Sequence, residues 1–353
     1  MIVGKTTEKK LHVGVIGLGI GRGHVNNFQQ HPLAEVVAVA DPDQERLDAV
    51  TKKFNVPSCY TDVRTMLAKE TLDVVSVATP NKLHKEQTIA ALNAGCHVLC
   101  EKPMARNAAE AHEMNAAAKK AGRRLMINFS YRFNEQSWAL KKAVDEGALG
   151  NVYFARTQWL RRRGMPGFGG WFGQKAQSGG GPLIDLGVHR LDLALWLMDY
   201  PKPAWVLGST YDPIASRLAA ESGQVFDVED MAVAMIKFEN GASLELEASW
   251  AGNIREKEFM STQLFGTEGG LVQRNIDEGY QFEAELYVQK NGCQYDMKLH
   301  PPVPQAQSPM YHFIDSIVND TPHIAAGEEG VVVMELLDAV YQSADQGAPV
   351  KLN

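Results

Sequence analysis

The chain has 353 residues, 45% of them hydrophobic and 22% charged, and a formal net charge of −7. That length accommodates two domains of ordinary size, each with its own core. The acidic balance leaves no basic field for nucleic acid or for an anionic membrane surface, so neither partner is expected.

The four cysteines, Cys59, Cys96, Cys100 and Cys293, have neither paired C-x-x-C spacing nor the density of a disulfide scaffold. They read as reduced thiols of a cytoplasmic protein, with Cys96 and Cys100 as small apolar filler around a strand. Residues 1–10 lack an apolar core of signal-peptide length, and no later run reaches about 18 apolar residues, so export and membrane insertion are not expected. The His, Cys and Asp spacings form no metal-ligand set.

In chain order, the apolar run at 12–16 leads into Gly17-Leu18-Gly19-Ile20-Gly21-Arg22-Gly23-His24, after which 25–30 reads as a helix. Strand, glycine loop and helix are the context of a dinucleotide site. The glycines allow a tight turn and close approach to a pyrophosphate, and the helix N-terminus offers free N–H groups. Arg22 stands where the third glycine of G-x-G-x-x-G is expected, with Gly21 or Gly23 as the substitute in a shortened loop. The strand at 35–40 ends at Asp41, about 20 residues beyond the glycines, where a carboxylate accepts bonds from both hydroxyls of an adenosine ribose. The same charge repels a 2′-phosphate, and Pro42-Asp43 offers no arginine to hold one, so NAD is preferred to NADP. Asp41 is also placed to introduce the helix at 44–53, and the two roles are compatible.

Alternation continues through helix 63–69, strand 73–78, helix 82–93, strand 97–100, helix 105–121 and strand 124–129. This is the pattern of right-handed βαβ units in a doubly wound parallel sheet. Ligands of such sheets lie outside the carboxyl ends of the strands. Two of those ends are chemically rich: Thr79-Pro80-Asn81-Lys82-Leu83-His84 and Glu101-Lys102-Pro103. Asn81 is a candidate for the cofactor or for capping the helix that follows. Lys102, fixed between Glu101 and a proline, stands where a nicotinamide ring would lie.

Past residue 129 the pattern changes. Helix 135–146 is followed by strand-like runs at 151–159, 204–211, 231–238, 244–248, 259–265 and 283–288, and Asn240-Gly241 reads as a two-residue hairpin turn. Arg161-Arg162-Arg163 opens a glycine-rich loop that reaches Trp171-Phe172. That loop is either a solvated face or subunit contact, or a cover over substrate in which Trp171 stacks on an apolar ligand face. Gly181-Pro182 then opens a nearly all-apolar helix on which Asp185, His189 and Asp192 share one stripe, broken only by Arg190. The stripe is either the wet side of an amphipathic helix or the lining of a cleft. In the second case His189 takes and returns a proton near neutral pH, Asp185 orients it or holds a substrate hydroxyl, and Asp192, one turn deeper, either supports the site from behind or is structural. Pro301-Pro302-Val303-Pro304 reads as an extended linker before helices at 310–319 and 330–345.

These residues resemble the Gfo/Idh/MocA family of NAD(P)-dependent oxidoreductases across essentially the whole chain. The resemblance rests on the glycine loop ending in His24, Ala78-Thr79-Pro80-Asn81 with His84, Glu101-Lys102-Pro103, Tyr131-Arg132-Phe133 and the Asp185/His189 helix. Gly266-Thr267-Glu268-Gly269 and Gly327-Glu328-Glu329-Gly330 extend it. It implies an α/β plus α+β chain: a Rossmann domain over 1–129, then a substrate-binding and oligomerisation domain over 130–353. The second domain would be built on a large open, mostly antiparallel sheet whose outer face makes a homodimer or homotetramer.

The resemblance further implies Lys102, Asp185 and His189 as the catalytic group and a cis peptide bond before Pro103. Cofactor contacts are expected from Gly17, Gly19, Ile20, Gly21, Arg22, Asp41, Thr79, Pro80, Asn81, His84, Glu101 and Lys102. Substrate contacts are expected from Lys102, Arg132, Trp171, Asp185 and His189. The implied reaction is NAD-dependent hydride transfer between a secondary hydroxyl of a sugar, sugar derivative or cyclitol and the nicotinamide. Two alternatives are an NAD-dependent glycosidase acting by transient oxidation and a non-catalytic sugar- or NAD-sensing regulator on the same fold.

Overall fold

The computed structural model describes residues 9–300 and 307–352, so the proline-rich run at 301–304, expected as a linker, lies outside the described residues. The chain divides into two compact units. The first takes in residues 9–104, Ala109–Asn128 and Gln307–Gly330; the second takes in Ala105–Ala108 and residues 129–300 and 331–352.

In the first unit β1 (Leu11–Ile16), α1 (Gly21–Phe28), β2 (Ala34–Ala40), α2 (Gln44–Phe54), β3 (Ser58–Tyr60) and α3 (Val63–Lys69) alternate. They are followed by β4 (Val74–Val77), α4 (His84–Asn93), β5 (His97–Cys100), α5 (Ala108–Ala121) and β6 (Leu125–Ile127). The six strands are parallel in the order β3-β2-β1-β4-β5-β6. β4 is buried at every position because helices cover both faces of such a sheet, which is why its sequence is an apolar run without alternation. The chain order reverses between β1 and β4, whose carboxyl ends lead into the glycine loop and the Thr79-Pro80-Asn81 turn. The short edge strand β3 carried no periodic signal, and only its pairing with β2 defines it.

The second unit contains α6 (Glu135–Asp145), β7 (Val152–Arg161), α7 (Lys175–Ser178), α8 (Val188–Leu197), β8 (Pro203–Tyr211) and α9 (Pro213–Ser222). Then come β9 (Met231–Phe238), β10 (Ser243–Ser249), β11 (Glu258–Gly266), β12 (Gly269–Ile276), β13 (Gln281–Lys290) and β14 (Cys293–Lys298). After α10 (Pro309–Val318), the chain ends in α11 (Gly327–Gln346) and β15 (Val350–Lys351). The strands form one nine-stranded sheet ordered β14-β13-β12-β11-β7-β10-β9-β8-β15. Among the described residues only β7 and β10 run parallel in this sheet; the other neighbours are antiparallel. Burial alternates along β9 and β10, as a sheet with one covered face requires. β14 is exposed along its whole length, so no alternation announced it.

The hairpin between β9 and β10 differs from the expected two-residue turn. The Phe238 amide bonds the Ala242 carbonyl at 3.0 Å, leaving the three-residue loop Glu239-Asn240-Gly241. Gly241 alone takes positive φ, at 90°, while the Asn240 side chain accepts the Ala242 amide. The stretch expected wholly in the second domain is also divided. Helix α10, with Met310, Phe313 and Ile314 buried, packs on α1, and just past the end of α1 His31 Nε2 meets Asp315 Oδ1 at 3.0 Å. Among the described residues no helix is long and apolar enough to cross a membrane.

Candidate active site

The glycine loop divides its work between three positions. Gly17 has φ of 83°, and a Cβ there would lie 2.6 Å from the Ala78 carbonyl oxygen, so only glycine makes the turn. At Gly19 a Cβ would meet nothing within 4 Å, which leaves the backbone open to a close ligand. At Gly21 a Cβ would stand 3.2 Å from both Val15 Cγ1 and Ala78 Cβ. Gly21 therefore makes the close helix–strand contact of the missing third glycine, and α1 starts there rather than at residue 25. Ile20 and Arg22 are exposed at the crest of the loop.

Asp41, at the end of β2, accepts the Leu18 amide on Oδ2 at 2.7 Å and the Asp43 amide on Oδ1 at 2.9 Å. The cap of α2 is Asp43, which receives the Glu45 and Arg46 amides. Asp41 is thus released from capping, and each of its oxygens retains a lone pair for a ribose hydroxyl. A dinucleotide fits this loop: Gly19 is exposed with open space where a Cβ would stand, and the carboxylate is held by the same loop. Arg46, in the first turn of α2, lies 3.9 Å from Asp41 Oδ2. Arg46 lies beyond the Pro42-Asp43 dipeptide, where no arginine stands, and helix periodicity rather than adjacency returns it to Asp41.

At the end of β4, His84 is fully buried with Nδ1 2.8 Å from the Pro103 carbonyl oxygen and Nε2 2.8 Å from that of Thr79. Burial lowers its pKa. Both nitrogens are committed to the backbone, so His84, expected to touch the cofactor, instead ties the turn after β4 to the Lys102-Pro103 segment. Asn81 opens a 3₁₀ turn, Asn81–Leu83, and neither that turn nor α4 has a side-chain cap. Capping is therefore not its role.

Glu101, also expected at the cofactor, is likewise turned inward. Oε1 receives His24 Nε2 at 2.9 Å and the Asn128 side chain, Oε2 receives the Lys102 amide at 3.1 Å, and His24 Nδ1 meets Ser76 Oγ at 2.8 Å. Burial acts to raise its carboxyl, but the bonds from His24 and Asn128 prevail and hold it below the usual range. The cluster braces the backbone that carries Lys102, and the Lys102-Pro103 bond is cis.

In the second unit the expected continuous α-helix opens instead with a π turn, Leu183–Gly187, that runs into α8. Such turns break the 3.6 period and recur at functional sites. All ten residues of α8 are buried, His189, Arg190 and Asp192 included, so the stripe is not a wet face. Asp185 alone between Gly180 and Leu197 is half-buried, and its Oδ2 accepts Trp250 Nε1 at 3.1 Å. The His189 ring lies 4.9 Å edge-on from Tyr131 and 5.6 Å from Trp159. Arg190 is buried over the Tyr131 ring at 4.5 Å, and burial pulls its guanidinium down to about 10.

Arg132, expected to contact substrate, is fully buried. It grips Asp192 with Nε and Nη2, at 3.0 Å and 2.6 Å, and stacks over Phe129, Trp196 and Tyr200. Trp171 is half-buried with Phe172 stacked at 3.9 Å, which occupies one face of its ring. Arg161 pairs with Glu258 at 2.8 Å, while the exposed Arg162 and Arg163 bond the carbonyls of Ile254 and Ala251. Trp250 and Glu229 escaped the sequence reading. Glu229 accepts the amides of Gly181 and Leu183, and the only trace of it was the Gly179-Gly180-Gly181 run, which signals a close approach.

The two sets of residues can do different things. The first unit offers a dinucleotide cradle and an ammonium on a braced loop; the second offers an imidazole against aromatic rings beside a half-exposed carboxylate. Residues 11–129 match the model of an oxidoreductase family with an NAD-binding Rossmann fold, and residues 138–272 match the GFO/IDH/MocA C-terminal domain. The chain is 34% identical to the D-glucoside 3-dehydrogenase of Escherichia coli (strain K12), over 98% of this chain and 99% of that protein. Among solved structures it is similar to aldose-aldose oxidoreductase from Caulobacter crescentus complexed with glycerol, with TM-score 0.82, 27% identity, and 98% and 100% of the chains covered. It is also similar to levoglucosan dehydrogenase in complex with NADH and levoglucosan, with TM-score 0.85, 25% identity, and 97% and 99% covered.

Proposed function

The chain belongs to the GFO/IDH/MocA family of NAD-binding oxidoreductases, and on that premise we propose that it oxidises a secondary hydroxyl of a sugar, sugar derivative or cyclitol, or runs the reverse. The observation that carries this reading is the pairing, on one buried segment, of Asp185 held by Trp250 with His189 set against Tyr131 and Trp159.

NAD, when bound, supplies the hydride acceptor. Gly17, Gly19, Ile20, Gly21 and Arg22 are assigned to its pyrophosphate, Asp41 to its ribose, and Thr79, Pro80 and Asn81 to the turn after β4. His189 accepts the proton of the reacting hydroxyl. Lys102 stabilises the oxygen as negative charge develops on it, and Asp185 holds a second hydroxyl so that the reacting carbon is presented in one orientation. Glu101 and His84 act by holding Lys102, and Trp171 offers one ring face to the sugar.

NAD is preferred to NADP because the Asp41 carboxylate stands where a 2′-phosphate would be repelled. The family resemblance supports a homodimer or homotetramer through the open face of the nine-stranded sheet, where Phe154 and Phe265 lie 5.5 Å apart. The free thiols Cys96 and Cys100, both buried, support a cytoplasmic location. The glycosidase and sensor readings are less favoured: the relatives named above are two dehydrogenases and an oxidoreductase, and a sensor has no need of Lys102, Asp185 and His189 together.

The test is a panel of cyclitols, aldoses and glycosides with purified protein and NAD, followed by NADH absorbance. At least one member is expected to reduce NAD. Tight NAD binding with no reduction by any member overturns the reading, and release of free sugar without net NADH establishes the glycosidase instead.

A further inference from the structure

Glu229, Tyr341, Gly180 and Gly181 take no part in proton or hydride transfer, yet they meet at the start of the segment that carries Asp185. Glu229 is 7% exposed. Its Oε2 accepts the Gly181 amide at 2.9 Å, and its Oε1 accepts the Leu183 amide at 3.1 Å and the Tyr341 hydroxyl at 2.9 Å. One carboxylate thus satisfies two N–H groups at the opening of the helical segment, which would otherwise be buried without partners. The glycines make the approach possible. A Cβ at 181 would lie 2.1 Å from the Glu229 carbonyl oxygen, and one at 180 would lie 1.9 Å from the Tyr341 hydroxyl.

An ordinary helix start needs no such device, since a neighbouring Ser, Thr, Asp or Asn caps it from the surface. What begins here is a π turn, whose wider winding is rare and has to be imposed by its surroundings. Leu183 is its first residue and Asp185 lies within it. Pinning the amides of Gly181 and Leu183 therefore sets the rotation at which the Asp185 carboxylate leaves the backbone. We propose that Glu229, supported by Tyr341, is a positioning residue that fixes the register of the π turn and so aims Asp185 at the substrate. This rests on the assignment of Asp185 as the group that orients substrate. Burial raises the Glu229 carboxyl while the amides of Gly181 and Leu183 and the Tyr341 hydroxyl oppose it. Burial and the adjacent carboxylate push the Tyr341 phenol well up, so it remains a donor.

Glu229→Gln exchanges one acceptor oxygen for an NH₂ group, which cannot accept an amide. With the best substrate of the panel, its kcat is expected to fall about 10–100-fold with a raised sugar KM and little change in NAD affinity. The decisive comparison is a double-variant cycle. In an Asp185→Asn background, Glu229→Gln is expected to cost no more than about twofold further, because its effect passes through Asp185. Tyr341→Phe keeps both amide bonds, should show the same pattern with a smaller loss, and serves where Glu229→Gln does not fold. An equal loss in both backgrounds means that Glu229 acts independently of Asp185 and overturns the proposal. If Asp185→Asn itself leaves kcat and KM unchanged, the assignment of Asp185 fails and the proposal falls with it, a result that the single variant separates from the first.

Discussion

Arg132 and Asp192 form an ion pair with no solvent on either partner: Nη2 lies 2.6 Å from Oδ1, and the side chains are 0% and 1% exposed. Removing one partner strands a buried charge. Arg132→Met is therefore expected to destabilise the protein by about 3–5 kcal/mol, read from the denaturant midpoint at unchanged slope. Arg132→Met with Asp192→Leu should recover most of that loss, since replacing both partners removes the stranded charge. A substrate-binding Arg132 would raise the sugar KM in a protein of normal stability.

The glycine loop separates cofactor affinity from stability. Gly19→Ala enters open space, so it is expected to fold normally and weaken NAD binding by about tenfold or more, because a methyl group then stands where the backbone meets the pyrophosphate. Gly21→Val meets Val15 and Ala78, so it should cost about 1–3 kcal/mol of stability. Titrating both variants with NAD, alongside thermal unfolding, checks the division.

Asp41 and Arg46 make opposing demands on the ribose end of the cofactor. Asp41→Ser removes the repulsion and leaves the arginine, so the ratio of kcat/KM for NADP over NAD should rise about 10–100-fold. Adding Arg46→Ala should abolish most of that rise. A ratio indifferent to Arg46 would mean that the arginine does not face the phosphate.

His189→Ala and Lys102→Ala are each expected to lower kcat by about 10²–10⁴-fold while NAD affinity changes much less. Steady-state rates and NAD titration distinguish this from a folding defect, which would lower both together.

His97, at the start of β5, is held down to about 4 by burial and by the nearby Arg123 and Arg124. Its folded-state pKa is depressed below the ordinary value, so the stability it contributes is present above about 6.5 and is lost as the pH falls from there toward 4. The unfolded chain takes up this proton first. His97→Asn should flatten the fall in denaturant midpoint across that window by the equivalent of one proton.

The βαβ alternation, the glycine loop, Asp41 and the Glu101-Lys102-Pro103 corner were legible because each is a local pattern. A period of residues, a glycine that a turn requires, or a polar group at the end of an apolar run can be seen without knowing what packs against it. The stripe at Asp185 and His189 was legible for the same reason, although the π turn that carries its first member was not. Its cause lies at Glu229 and Tyr341, far along the chain.

Sequence alone settled the dinucleotide half, the two kinds of sheet and the family. Which charged groups are buried against partners and which stay exposed was decided by tertiary structure. Arg132, Glu101 and His84 have the chemistry of site residues, and folding gives each of them a buried partner instead: Asp192, His24 and two backbone carbonyls. Trp250 and Glu229 carry no local signature, yet they hold Asp185 and the turn around it. The physical reason is that a buried polar group must be satisfied by whatever the fold brings near it. That partner is chosen across tens or hundreds of residues, a distance over which periodicity and spacing carry no information.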